Sequence, residues 1–179
     1  IGLLDHLKIG RAVIMGLSMG GYIALRAIER FPDRFRGLVL CDTRSEADSN
    51  EGKIKRAAQA QNVKTEGIAR FIDLFVPGLF YEKTFETSPH TVELIKGIIG
   101  RTPPATVAGT LIALAARTDT TSSLYTIKVP TLILVGQHDT LAPPSASNAM
   151  KEKIPNAELH IIPEAGHLSN LENPQVFND

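Results

Sequence analysis

The chain has 179 residues, 43% of them hydrophobic, which is enough to bury one sizeable core. Nineteen lysines and arginines balance nineteen aspartates and glutamates, and this zero net charge gives no support to nucleic acid or a membrane surface as a partner. The one cysteine, Cys41, excludes an internal disulfide, and its apolar neighbours predict that it is buried.

The chain opens with a predicted alternation of helices and strands. Leucines at helical spacing indicate the end of a helix over residues 1–8. Residues 11–15 form a continuous apolar run, typical of a strand buried on both faces of a parallel sheet. A helix over residues 19–31 is stopped by Pro32, and residues 37–41 form a second short apolar strand.

The turn between the first strand and the second helix carries the sequence Gly16-Leu17-Ser18-Met19-Gly20-Gly21. This is G-x-S-x-G in the strand–turn–helix context that a nucleophile elbow requires. On so tight a turn we expect Gly16 and Gly20 to remove side chains that would collide, and Gly21 to let the helix start close to the strand. The Met19 N–H would point to where an oxyanion forms. The alternative is an ordinary glycine-rich turn.

Residues 44–126 contain several helix signals and no convincing strand. Thr65 is expected to cap a helix, and Ser88 and Thr102 each precede a proline at a predicted first helical position. Long excursions beside such a turn usually act as lids or binding walls. We therefore interpret residues 44–126 as a helical cap.

The strand pattern resumes after the predicted cap. Residues 130–135 and 157–162 are apolar runs separated by a helix, so the chain predicts an α/β fold with a parallel sheet of about four strands flanked by helices. The core of this fold would consist of residues 1–43 and 127–179.

A nucleophilic serine needs a base and an acid that orients the base. In an open parallel sheet, such residues lie just past the carboxyl ends of the strands. Asp139 follows the strand 130–135, and His167 follows the strand 157–162. Asp42, just past the second strand, is the alternative acid.

The other histidines carry no predicted role in catalysis. His138 is interpreted as a loop side chain, His160 as a packed strand residue, and His6 and His90 as surface residues. No histidine, cysteine or carboxylate cluster has the spacing of metal ligands, so we predict no metal and no cofactor.

An apolar set of side chains is a candidate lining for an acyl pocket, although packing between cap and core is the favoured interpretation for most of it. The set consists of Leu17, Met19, Phe71, Phe75, Phe80 and Tyr81.

These features together resemble the α/β-hydrolase superfamily, of the esterase and 3-oxoadipate enol-lactonase type. The resemblance rests on four stretches in order, which are residues 16–21, residues 129–136 with Asp139, residues 165–167 and residues 171–174. It covers nearly the whole chain from the nucleophile elbow onward.

The resemblance implies that Ser18 is the nucleophile, His167 the general base and acid, Asp139 its partner and the Met19 N–H one oxyanion donor. The implied reaction is cleavage of a small carboxylic ester or lactone through an acyl-enzyme. A cofactor-free perhydrolase, a carbon–carbon bond hydrolase and an inactive fragment that serves as an association module are the alternatives. A serine at position 18 argues against dehalogenase and epoxide-hydrolase chemistry, for which an aspartate nucleophile is expected.

The resemblance also has a departure, because the family sheet has about eight strands and this chain supplies four. The loop that provides the second oxyanion donor in the family is missing. We expect a C-terminal portion whose first strand is an exposed edge that invites association with a missing N-terminal half or with another copy of the chain. We expect a cytoplasmic location.

Overall fold

The computed structural model describes residues 1–179 and contains one sheet of four parallel strands in the order β1-β2-β3-β4. The strands are β1 (Ala12–Leu17), β2 (Phe35–Cys41), β3 (Thr131–Gly136) and β4 (Ala157–Ile162). The predicted α/β fold with a four-stranded parallel sheet is therefore confirmed.

Ten helices connect and flank these strands. They are α1 (Gly2–His6), α2 (Met19–Arg30), α3 (Asn50–Thr65), α4 (Ile68–Phe75), α5 (Thr84–Thr87), α6 (Pro89–Arg101), α7 (Pro104–Ala115), α8 (Pro144–Lys153), α9 (Ser169–Glu172) and α10 (Pro174–Asn178). Helices α3 to α7 all fall between β2 and β3, in the stretch interpreted as a cap. The division into a core and a cap stays a prediction.

The main apolar core lies between one face of the sheet and the helices α2 and α8. Leu40 and Ile133 of the sheet pack there with Leu25 of α2 and Met150 of α8, and all four side chains are at most 1% exposed. Successive strand residues point to opposite faces, so Cys41 lies in a second buried cluster on the other face. Burial, with a smaller contribution from the neighbouring Asp42 charge, raises the pKa of the Cys41 thiol to about 12.

The first strand differs from the prediction that both of its faces are buried. Ile14 packs against the main core, but Val13 and Met15 are 53% and 56% exposed. β1 lies at the edge of the sheet, and the face that carries these two side chains is open to solvent there. The apolar sequence of β1 thus leaves an apolar strip on the surface.

The helix boundaries in the middle of the chain also correct the sequence analysis. Thr65 ends α3 instead of capping the next helix, and its hydroxyl donates to the Gln61 carbonyl oxygen. Gly67 is the residue before α4 and has a φ of 86°, a conformation that glycine adopts without steric cost. A glycine with a positive φ therefore separates the two helices.

No single helix has the length and apolar character needed to cross a membrane. One pair of consecutive helices, Pro89–Arg101 and Pro104–Ala115, meets those criteria when taken together, but the pair is bent by 99°.

Candidate active site

Ser18 occupies the sharp turn between β1 and α2. Its φ of 50° and ψ of −113° lie outside the ordinary range of residues that carry a side chain. Two contacts with the end of β2 hold this backbone: Ser18 N–H donates to the Cys41 carbonyl oxygen at 2.8 Å, and the Thr43 hydroxyl donates to the Ser18 carbonyl oxygen at 2.8 Å. The turn thus keeps its strained conformation through bonds on both sides of the serine.

The glycines around Ser18 are not equivalent. A Cβ atom at position 16 would overlap the backbone carbonyl group of Gly20, and one at position 21 would overlap the side chain of Thr43. A Cβ atom at position 20 would meet no atom within 4 Å. The expectation that Gly20 removes a colliding side chain is therefore wrong, because its missing Cβ points into open space. Gly16 and Gly21 are the positions where a neighbouring group excludes a side chain, the Gly20 backbone in the first case and the Thr43 side chain in the second.

The fold brings Ser18, Asp139 and His167 together from three different strand ends. The distance from His167 Nε2 to Ser18 Oγ is 2.8 Å, and the distance from His167 Nδ1 to Asp139 Oδ2 is also 2.8 Å. His167 is 5% exposed and Asp139 is 3% exposed, so the hydrogen bond between them is shielded from bulk water, whereas the one between His167 and Ser18 is partly buried.

Asp139 uses its second oxygen to fix its own orientation. Asp139 Oδ1 accepts the backbone N–H groups of Leu141 at 2.8 Å and Ala142 at 2.9 Å, which leaves Oδ2 for the imidazole. An ionised carboxylate only accepts hydrogen bonds, so the proton of a neutral His167 sits on Nδ1. His167 Nε2 is then free to accept the proton of Ser18 Oγ.

Asp42, the alternative acid, is fully buried but makes no hydrogen bond to the imidazole. Its Oδ1 accepts the Gly136 N–H at 2.8 Å, and its Oδ2 accepts the Ser169 hydroxyl at 2.6 Å. Burial raises the pKa of Asp42 to about 6, although these two hydrogen bonds act in the opposite direction. Asp42 therefore joins the ends of β2 and β3 to the start of α9, two residues after His167.

The loop that carries His167 is held by a residue to which sequence reasoning gave no role. Glu172 accepts hydrogen bonds from the backbone N–H groups of Gly166 and Leu168, at 2.8 and 3.3 Å. His167 N–H itself donates to the Leu79 carbonyl oxygen at 3.0 Å. The stretch 171–174 contains Glu172, but only the folded chain reveals what the carboxylate bonds.

The predicted pocket residues occupy different places. Phe71 and Phe75 stack with ring centres 4.9 Å apart and pack among the helices α3, α4 and α7. Leu17 packs in the buried cluster of Cys41, and Met19, which begins α2, is 43% exposed. Phe71 and Phe75 thus pack with each other among these helices, and their role in binding substrate stays a prediction.

Phe80 and Tyr81 lie beside the acid of the site. Both line a cavity of about 580 Å³ that also includes His138 and Asp139. The rings of Tyr81 and His138 stack at 3.9 Å with an angle of 7° between their planes. The loop side chain His138 is thus tied to the segment that precedes α5.

The remaining histidines lie away from these groups. His6 and His90 are exposed, as predicted. The expectation that His160 is packed is wrong, because β4 is an edge strand on which the side chain of His160 is 61% exposed. Within residues 1–179, no group of three or more histidine, cysteine or acidic side chains is arranged to hold a metal ion.

A family model described as serine aminopeptidase, S33, matches residues 4–174. The chain is 30% identical to 3-oxoadipate enol-lactonase 2 of Acinetobacter baylyi over 178 residues, which are 99% of this chain and 65% of the relative. It is 29% identical to a 2-hydroxy-6-oxononadienedioate/2-hydroxy-6-oxononatrienedioate hydrolase of a Pseudomonas species, over 99% of this chain and 64% of the relative.

The chain is also similar to solved structures of an esterase and an enol-lactonase. A thermophilic esterase from Thermogutta terrifontis is 41% identical with a TM-score of 0.93, over 98% of this chain and 65% of the esterase. The enol-lactonase from Burkholderia xenovorans is 32% identical with a TM-score of 0.88, over 98% of this chain and 66% of the lactonase. The chain thus spans about 65% of the length of the relatives that it matches.

Proposed function

The chain belongs to the serine aminopeptidase S33 family of the α/β-hydrolase superfamily, and on this premise we propose that it is a serine hydrolase. Its substrate would be a small carboxylic ester or lactone, cleaved through an acyl-enzyme on Ser18. One observation carries the proposal: His167 lies 2.8 Å from the Ser18 hydroxyl on one side and 2.8 Å from the Asp139 carboxylate on the other.

The first half of the reaction forms the acyl-enzyme. His167 Nε2 takes the Ser18 proton as Ser18 Oγ attacks the substrate carbonyl carbon, and Asp139 stabilises the resulting imidazolium. Met19 begins α2, so its N–H has no acceptor within the helix and is available to the negatively charged oxygen. His167 then gives its proton to the leaving alkoxide or enolate oxygen, and the tetrahedral intermediate collapses to the ester of Ser18.

The second half releases the acid. A water molecule gives a proton to His167 Nε2 and attacks the acyl carbon, and the same imidazole returns the proton to Ser18 Oγ. The buried Asp139–His167 hydrogen bond keeps Nε2 of the imidazole directed towards the serine in both halves of the reaction. Every proton transfer in this scheme thus passes between His167 Nε2 and the reacting oxygen atoms, with Asp139 holding the imidazole in place.

The substrate class rests on the relatives. The relatives include an enol-lactonase and an esterase, and both reactions pass through attack on an ester carbonyl. Carbon–carbon bond hydrolysis is the second candidate, because the chain is 29% identical to a hydrolase of 2-hydroxy-6-oxo dienoic acids. A dienoate substrate would separate this candidate from ester hydrolysis.

The proposal assigns one oxyanion donor, the Met19 N–H, and a second donor typically contributes on the order of a hundred- to a thousand-fold in turnover. We propose that further polypeptide covers the β1 edge and supplies this donor, either more of the same protein or a second copy. The exposed Val13 and Met15 beside the unpaired edge of β1 support such a contact.

The direct test is hydrolysis of p-nitrophenyl acetate by this chain beside Ser18→Ala. We expect turnover by the wild type and a loss of roughly a thousand-fold or more in the variant, because the attacking oxygen is gone. Equal background rates for both proteins would contradict the proposal for this chain and would favour an inactive fragment that serves as an association module.

A further inference from the structure

We propose that Glu172 is a positioning residue that locks the His167 loop to the segment 79–84, so that the base and the neighbouring helical segment move as one unit. The inference rests on the proposed function, because it assigns to Glu172 the placement of the base in that reaction. It comes from four hydrogen bonds that converge on one carboxylate from two separate parts of the chain.

The first oxygen of Glu172 holds the histidine loop. Oε1 accepts the N–H of Gly166 at 2.8 Å and the N–H of Leu168 at 3.3 Å, which are the residues on either side of His167. A bond on each side restrains the peptide groups that set the direction of the His167 side chain. Glu172 thus acts on the imidazole through the backbone and not by touching it.

The second oxygen holds a segment about 90 residues earlier in the chain. Oε2 accepts the backbone N–H of Tyr81 at 2.7 Å and the hydroxyl of Thr84 at 2.7 Å. Thr84 is 3% exposed, so its hydroxyl has little access to water as an alternative partner. The carboxylate therefore bridges the two segments.

Two independent contacts bring the same two segments together. His167 N–H donates to the Leu79 carbonyl oxygen at 3.0 Å, across the same boundary. A Cβ atom at position 166 would lie only 2.6 Å from the Tyr81 nitrogen, so the two backbones approach closely. The segment 79–84 and the His167 loop thus form a joint with Glu172 at its centre.

The chemistry of this joint requires a carboxylate. All four partners of Glu172 are donors, and an ionised carboxylate offers two oxygens that only accept. A glutamine keeps the size of the side chain but replaces one oxygen with an NH₂ group, so at least one backbone N–H of the joint faces another donor. Such a change releases either the His167 loop or the segment 79–84.

The expected effect on the reaction is a loss of kcat, because the 2.8 Å contact of His167 with Ser18 depends on where the loop lies. We expect Glu172→Gln to lower kcat by about ten- to a hundred-fold, the scale of a misplacement of the reacting groups by about 1 Å. KM is expected to change less than kcat, since the Glu172 carboxylate is occupied by four hydrogen-bond donors of this chain.

The matched control is Glu164→Gln, an exposed glutamate on the same loop with no side-chain hydrogen bond. It makes the same chemical change three residues before His167 and should leave kcat unchanged. Thr84→Val removes one donor from the other side of the joint and should lower kcat by about threefold, whereas Thr84→Ser keeps the hydroxyl and should restore it. These two variants keep the inference testable if Glu172→Gln does not fold.

A second measurement does not depend on turnover. NMR hydrogen exchange should show the Gly166, Leu168 and Tyr81 amides protected in the wild type and in Glu164→Gln. In Glu172→Gln, either the Gly166 and Leu168 amides or the Tyr81 amide should exchange faster. Wild-type amide protection and wild-type kcat in Glu172→Gln would overturn the inference. The wild-type protein could hydrolyse no ester while Glu172→Gln still loses amide protection. That result would contradict the proposed function and still support the joint.

Discussion

Ser18 and His167 lie 2.8 Å apart, but the chain holds them there in different ways. The turn around Ser18 is shaped mainly by its own sequence, because Gly16 permits the close approach of the Gly20 backbone and Ser18 itself has the strained φ of 50°. The bonds from Thr43 and to Cys41 add support from the neighbouring strand.

The His167 loop depends instead on distant residues. Asp139 precedes His167 by 28 residues, and the segment that shares Glu172 with the loop precedes it by more than 80. The turn at Ser18, the proposed nucleophile, thus depends mainly on local geometry, and the loop of His167, the proposed base, depends on long-range hydrogen bonds. Substitutions around Ser18 should therefore mainly lower the stability of the fold, and substitutions around His167 should mainly lower the rate of the reaction.

The largest effect is expected on the side of the base, from Asp139→Asn. The backbone N–H groups of Leu141 and Ala142 would hold the amide oxygen of asparagine, so its NH₂ group would face His167. The imidazole would then accept at Nδ1 and carry its proton on Nε2, where it cannot take the proton of Ser18. We expect kcat to fall on the order of ten-thousand-fold, measured by ester hydrolysis.

The control for that variant is Asp73→Asn, an exposed aspartate of α4, which should hydrolyse the ester at the wild-type rate. Crystallography or NMR of the Asp139→Asn protein should find the fold intact. A variant that keeps its activity within about tenfold of wild type would mean that the proton of Ser18 does not pass to this imidazole.

On the side of the nucleophile, Gly16→Ala should damage the fold. The added Cβ would meet the backbone of Gly20, which has no flexible side chain to move away. We expect the free energy of unfolding, measured by urea denaturation, to fall by about 3 kcal/mol or more. Gly20→Ala is the matched comparison and should change it by less than about 1 kcal/mol, since its Cβ would meet open space. Equal losses in the two variants would contradict the local account of the turn.

Asp42 provides a smaller effect that depends on pH. Burial raises its folded-state pKa from 3.8 to about 6, so the folded protein binds a proton more tightly than the unfolded chain does. The resulting contribution to stability is fully present below pH 3.8 and is lost as the pH rises through about 6. The free energy of unfolding of the wild type should therefore fall by roughly 2–3 kcal/mol, relative to that of Asp42→Asn, between about pH 4 and about pH 7.

The measurement is the free energy of unfolding of both proteins by urea at several pH values. The amide of asparagine does not titrate, so the difference between the two curves isolates Asp42. A difference that stays constant over this range would show that the Asp42 carboxyl titrates normally in the folded protein, despite being fully buried.

The sequence predicts those features that depend on short stretches. The four strands, the turn at Ser18 and the positions of Asp139 and His167 past their strand ends all follow from apolar runs and their neighbours. Parallel strands bring their carboxyl ends to one edge of a sheet, so residues far apart in sequence could be expected to meet there.

The features that the sequence did not predict depend on tertiary neighbours. An apolar run such as residues 11–15 has the same pattern whether or not a helix covers it, and only the fold leaves Val13 and Met15 exposed. The role of Glu172 requires knowing that residues 81 and 84 return to the His167 loop. Gly20 lies in the motif but faces open space, because the path of α2 decides which glycine is crowded.

The most direct test of the proposed chemistry is detection of the acyl-enzyme. The chain is mixed with p-nitrophenyl acetate, quenched in acid within the first turnovers, digested and examined by mass spectrometry. We predict an acetyl group on the peptide that contains Ser18, absent from Ser18→Ala and strongly reduced in Asp139→Asn. Ester hydrolysis with no acetyl group on Ser18 in the wild type, or with equal labelling of the Ser18→Ala protein, would contradict a covalent mechanism at this serine.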